Sequence, residues 1–284
     1  MGKYSKLLSP LTVNNITIRN RVIMGSMHTG LEEKKGGFER LAEFYRVRAE
    51  GQVGLIVTGG IAPNRAGWVA PFSAKLTNAK EVRKHQLVTS AVHKEGGHIV
   101  MQILHAGRYA YHPFAVAPSR LKSPISPFVP WGLPRFGVEW TIRDYVKTAI
   151  LAKEAGYDGV EIMGSEGYLI NQFIVSHTNK RKDEWGGDFQ KRIRFPLEIV
   201  KRTREAVGDN FILMYRLSML DLIAKGGSSW EEVVELGRQI EKAGASIINT
   251  GIGWHEARVP TIATCVPRAA FSFVTKKIRS EIKI

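Results

Sequence analysis

The chain has 284 residues, with 41 Lys and Arg against 26 Asp and Glu, a formal net charge of +15. Hydrophobic residues at 44% and charged ones at 24% are ordinary for a globular protein with a sizeable core, which excludes wholesale disorder. A single cysteine, Cys265, excludes an internal disulfide and a cysteine-ligated zinc or iron–sulfur centre from this chain, and reads as a packed apolar residue rather than a nucleophile.

In chain order, Leu11–Ile18 reads as a small hairpin turning at Asn14-Asn15. Six short apolar runs then predict strands at Arg21–Met27, Gly54–Gly60, His98–His105, Gly159–Gly164, Phe211–Ser218 and Ser246–Gly253. Amphipathic stretches predict helices between and after them, at Gly37–Glu50, Lys84–Glu95, Ile142–Ala155, Phe189–Val207, Trp230–Ala243 and Ala270–Glu281. Ser228 ahead of Glu231 and Glu232 reads as an N-cap, and Gly244 as the matching stop signal. Nearly continuous apolar strands alternating six times with helices argue a parallel α/β fold, either barrel or doubly wound.

In both architectures chemistry sits at the C-terminal ends of the strands. Those ends are Gly25 to His28, Gly59-Gly60, Gln102 to His105, Met163 to Glu166, Arg216 to Ser218, and Gly251 to His255. All six finish in small or hydrogen-bonding residues, as expected of strands that share one site. Tyr168, His255 and Arg216 together offer two proton-bearing side chains and a fixed cation around a planar cofactor.

Other motifs fail on inspection. Glu256 stands where a third dinucleotide-binding glycine is needed after Gly251 and Gly253, and Val259 where a zincin needs its second histidine. His105 and His112 have no ligand spacing, so no metal site is expected. Basic residues are scattered, with short clusters at Lys180–Lys182, Lys201–Arg204 and Lys276–Arg279 and no nucleic-acid-binding motif. A solvated basic surface or a polyanionic small molecule explains the charge better than nucleic acid does. No apolar run reaches bilayer length, Met1 to Leu11 lacks a signal-peptide core, and Lys6 breaks the myristoylation pattern. A soluble cytoplasmic protein without a membrane partner is the expectation.

The segments Arg21–Gly30, Gln102–Arg108, Gly156–Ile162, Gly164–Asn171, Asp183–Asp188, Tyr215–Ser218 and Asn249–Arg258 resemble the Old Yellow Enzyme flavoprotein family of NADH:flavin oxidoreductases. The likeness runs from about Leu7 to Ile282. Many members carry histidine-containing pairs before the tyrosine. Here those positions are Met163 and Glu166, which matches the family's 2,4-dienoyl-CoA reductase branch.

The resemblance implies a TIM barrel with FMN at its mouth. Gly25, Ser26, Met27, Gly60 and Gln102 would line the isoalloxazine ring, and Arg216 would sit at its N1–O2 edge. Hydride would pass from flavin N5 to the distal carbon of a dienoyl-CoA, with the proton from Tyr168 assisted by His255. Glu256, Ala257 and Arg258 would meet the acyl-CoA substrate, and His177 stands where an arginine contact is expected. A generic NADH:flavin ene-reductase and a non-catalytic remnant remain the alternatives.

Two departures stand out. Trp131–Trp140, with Pro134 and two glycines, replaces the family's acidic helix start and reads as spoiling helix initiation. The chain also stops after the sixth strand–helix unit, whereas a TIM barrel has eight and takes its phosphate site from the last two. Residues 1–284 therefore read as an incomplete (β/α)8 FMN domain, with iron–sulfur, FAD and NADPH sites only in a full-length relative. Alone, such a fragment is expected to lose FMN and to associate through its open edges or with a completing polypeptide.

Overall fold

A computed structural model describes residues 2–284. Six parallel strands form its sheet: β1 (Ile23–Met24), β2 (Leu55–Val57), β3 (Ile99–Ile103), β4 (Gly159–Gly164), β5 (Ile212–Leu220) and β6 (Ile247–Ile252). They lie side by side in chain order, β1 to β6, with every pairing parallel. An order that never reverses has no switch point, so the sheet is an arc of a (β/α)8-type barrel rather than a doubly wound sheet.

Helices α1 (Gly37–Glu50), α2 (Ala79–Lys94), α3 (Arg135–Glu154), α4 (Phe189–Val207), α5 (Trp230–Lys242) and α6 (Ser272–Arg279) follow the successive strands. Alternate strand residues such as Val160, Ile162, Leu213, Tyr215 and Leu217 pack against the helices in one large core. The opposite residues of β2, β3 and β5 (Leu55, Val57, Val100, Ile212 and Met214) form a second core inside the arc. The N-terminal hairpin, Leu11–Val13 paired with Ile16–Ile18, closes this inner core with Val13 and Ile18. Asn14 and Asn15 at its tip bond Asp209 and Asn210. The inner strands β2, β3 and β4 are wholly buried, whereas β1 and β6 at the two edges are partly exposed.

Three expectations need correction. Residues 131–140 do not block a helix. Trp131–Gly132 pairs in parallel with Val116–Ala117, and α3 starts at Arg135 with Pro134 at the N-cap. A proline there sacrifices no helical hydrogen bond, and buried Val138, Thr141, Ile142 and Tyr145 carry the apolar stripe back to the start. The cap of α5 is Ser229, not Ser228, because only Ser229 stands three residues before Glu232; both arms of the capping box form. Cys265 is exposed rather than packed.

Candidate active site

The C-terminal ends of the six strands converge on one mouth. After β4 the chain passes through Glu166 and Gly167, both with positive φ, and Tyr168 then precedes a short helix, Leu169–Ile174. A Cβ at Gly167 would lie 2.3 Å from the Tyr109 hydroxyl and 2.6 Å from the Trp254 ring, so this turn closes only on glycine. It brings Tyr168 beside His255, which follows β6: the hydroxyl and Nε2 are 2.8 Å apart and the rings meet edge to face at 5.0 Å. Tyr109 packs edge-on against Tyr168, His255 and Trp254.

Burial sets the protonation of the pair. It pushes the Tyr168 hydroxyl up to about 12, helped by the nearby Glu166 carboxylate, so the phenol keeps its proton at neutral pH. His255 is exposed at the rim, and partial desolvation by the aromatic rings packed on it lowers it, which favours the neutral imidazole. The pair is thus an O–H donor held against a neutral imidazole, one arrangement of a general acid with its support.

The segment carrying His255 is fixed on both sides. Asp221, buried after β5, accepts from the Trp254 indole at 2.8 Å, from Ser218 at 2.7 Å and from Asn171 at 3.3 Å. Glu256 accepts twice from Arg108 Nη2, at 2.6 Å to each oxygen, and its side chain is only 7% exposed. Glu256 is therefore engaged inside the protein as a brace. His177 Nε2 lies 3.7 Å from the same carboxylate, Ala257 packs on the Tyr109–Trp254 cluster, and Arg258 is exposed.

Across the mouth, Ser26 Oγ donates to Gln102 Oε1 at 3.0 Å. Gly60 lies beside them: a Cβ there would sit 2.7 Å from Leu104 Cδ1 and 3.2 Å from Gln102 Oε1. Gly25 and Met27 are exposed at the rim of β1. Arg216 on β5 is paired with Glu166, its Nε and Nη2 both 2.9 Å from Oε1. Gln102 Nε2 in turn donates to Glu161 Oε2 at 2.6 Å, and Asn249 Nδ2 to Glu161 Oε1 at 2.7 Å.

All eight residues expected to serve cofactor and proton transfer thus stand around one mouth. Glu161, Asn249, Arg108, Asp221 and the pairing role of Glu166 went unread. Glu161 carried a signal, since a carboxylate within the apolar run Gly159–Gly164 is rarely buried without a purpose. The Arg108–Glu256 contact, 148 positions apart, had none.

Comparison with known proteins follows the same lines. The chain is 38% identical over 284 residues to a metal reductase of Desulforamulus reducens, covering 99% of this chain and 42% of that one. It is 35% identical over 269 residues to an NADH oxidase of Thermoanaerobacter brockii, covering 92% of this chain and 41% of the relative. It thus spans about two fifths of the length of these relatives. A solved structure of 2-naphthoyl-CoA reductase with 2-naphthoyl-CoA superposes with a TM-score of 0.91 at 27% identity, over 98% of this chain and 45% of that one. A morphinone reductase variant in complex with tetrahydroNAD gives 0.81 at 25% identity, over 98% and 78%.

The fold is that of the FMN-dependent oxidoreductases built on a TIM-type barrel. The profile of the NADH:flavin oxidoreductase / NADH oxidase family matches residues 6–284, and the chain belongs to that family.

Proposed function

We propose that residues 1–284 form an FMN-binding barrel domain that reduces a conjugated C=C bond of an acyl-CoA thioester, with 2,4-dienoyl-CoA as the substrate class. The observation that carries this reading is the Tyr168–His255 pair, 2.8 Å apart at the mouth lined by Ser26, Gln102 and Arg216. Met163 and Glu166 replace the histidines that many relatives use, leaving Tyr168 as the proton donor.

The donor set suits a flavin ring. Gly25 and Gly60 present no side chain, Met27 offers an apolar contact, and Ser26, Gln102 and Arg216 offer hydrogen bonds and a cation. These residues would hold FMN, which supplies the hydride when bound and reduced. Tyr168 would then deliver its hydroxyl proton to the carbon left electron-rich, and His255, as the tautomer protonated at Nε2, would donate to the phenolate oxygen. Reduction of the dienoyl thioester by hydride and proton gives an enoyl thioester. His177 and Arg258 at the rim would meet the CoA portion, Ala257 would pack beside it, and Glu256 would hold the segment in place. Electrons would reach this domain from an iron–sulfur, FAD or NADPH site outside it.

The test is reconstitution. The chain, extended by two strand–helix units that close the six-stranded arc into a barrel, is incubated with FMN, reduced anaerobically with dithionite, and mixed with 2,4-dienoyl-CoA or 2-cyclohexenone. Faster flavin reoxidation by the dienoyl-CoA is expected. Preference for the enone would make the protein a generic ene-reductase, and failure to take up any flavin would favour a non-catalytic remnant.

A further inference from the structure

Glu161 is a buried carboxylate that proton transfer does not use. It occupies the inward row of β4 with Met163, while Val160 and Ile162 face the helices. Its register partner on β3 is Gln102, and its other partner, Asn249, lies on β6, two strands away. The Asn249 bond therefore crosses the inside of the arc. Both oxygens of Glu161 are met by carboxamide N–H donors, at 2.6 Å and 2.7 Å. At its other end Gln102 turns Oε1 to the Ser26 hydroxyl.

An ionised carboxylate only accepts hydrogen bonds, whereas a carboxamide can turn either end to a neighbour. We propose that Glu161 is a positioning residue that fixes the flip of Gln102 and Asn249, so that the mouth receives the Gln102 carbonyl oxygen and never its NH2. The consequence is selectivity. A ring ligand resting on Ser26 and Gln102 meets an acceptor there, which favours one with an N–H at that edge, as in the pyrimidine half of a flavin. This consequence rests on the flavin reading; the orientation role does not.

Glu161→Gln is nearly isosteric and sets an NH2 group against one of the two donors. That forces a flip or leaves a buried donor unpaired. Two measurements on the full chain separate the possibilities. The first follows the side-chain carboxamide 1H–15N resonances of Gln102 and Asn249, assigned by their loss in Gln102→Leu and Asn249→Leu. In the wild type both pairs are expected to be slow to exchange with solvent. In Glu161→Gln at least one becomes fast, and Glu161→Asp, still acceptor-only, restores part of the protection. The second is FMN titration of the barrel closed to eight strands, where Glu161→Gln should weaken Kd at least tenfold.

Fast wild-type exchange of the Gln102 NH2 would overturn the proposal without any variant being needed. So would unchanged resonances in a folded Glu161→Gln protein. Changed resonances in Glu161→Gln, beside a barrel closed to eight strands that still ignores FMN, would uphold the orientation role and sink the flavin reading alone.

Discussion

The two ends of the barrel arc are built from the same strands and obey opposite rules. At the N-terminal end, Leu55, Val100, Ile212 and Met214 meet Val13 and Ile18 of the hairpin in a sealed apolar layer. Nearer the C-terminal end, the same inward rows carry Gln102, Glu161 and Arg216, ending on the Tyr168–His255 pair. Burying methyl groups stabilises a fold outright, while burying carboxylates and carboxamides is tolerable only when each is bonded. The first end holds the barrel together, and the second is where the proposed reaction would take place. Substitutions at the two ends should therefore separate stability from chemistry.

The largest separation is expected at Tyr168. Tyr168→Phe removes the hydroxyl and keeps the ring packed on Tyr109 and His255. In a barrel closed to eight strands, turnover of the reduced flavin with dienoyl-CoA should fall about 10²–10⁴-fold, with the melting temperature little changed. Wild-type rates in this variant would remove Tyr168 from the reaction. Ile212→Ala at the opposite end should show the reverse: a loss of about 2–5 kcal/mol in denaturant unfolding, with flavin affinity retained by the molecules that remain folded. Equal damage to both readouts would show that the two ends are one cooperative unit.

The ends also differ in their response to pH. Asp158, just before β4, would be raised by burial alone. Hydrogen bonds from His93, His98 and the Ile99 N–H overcome that and bring it down to about 2 from 3.8. A depressed folded value means stability present above pH 4 and lost as pH falls from there toward 2. The contribution is up to about 2 kcal/mol. The hydrogen bond to Asp158 raises His93, so that share is present below pH 6.5 and fades as pH climbs through the raised value. His255 at the mouth runs the other way: partial desolvation lowers it, and the mouth loses stability as pH falls below 6.5. Asp158→Asn should flatten the acid limb of the unfolding curve between pH 4 and 2. An unaltered limb would place the acid sensitivity elsewhere.

How much of this was legible in the sequence depended on whether the signal was local. Apolar runs located all six strands, although the first shrank from Arg21–Met27 to Ile23–Met24. Helix α2 begins at Ala79 rather than Lys84 because the Asn78 side chain accepts from the Glu81 N–H, a cap that apolar periodicity does not register. The start of α3 was hidden by Pro134 and glycines, residues that break a helix inside but not before it. At the site, the family motifs brought Tyr168, His255, Ser26, Gln102 and Arg216 together from five separate segments. What they did not carry was pairing: Arg216 with Glu166, Glu161 with two carboxamides, and Glu256 with Arg108. Such contacts depend on side-chain direction across the barrel, which no spacing along the chain encodes.

A small gain in stability is expected at Gly25, and its sign is what makes this position a clean test of the mouth. Gly60 is required by the protein itself, since a Cβ there would press on Leu104 and Gln102. A Cβ at Gly25 meets nothing within 4 Å, and its φ is not among the positive values, so alanine fits the backbone without strain. Fewer accessible conformations in the unfolded chain should then stabilise Gly25→Ala by about 0.4–1 kcal/mol. If Gly25 lines the ring of FMN, the same methyl group intrudes on the ligand, and flavin affinity should fall while the melting temperature rises slightly. Opposite signs in the two measurements would mark this glycine as serving a ligand rather than the fold. Unchanged FMN affinity would remove Gly25 from the flavin-lining set and leave Ser26, Met27, Gly60, Gln102 and Arg216 to define the mouth.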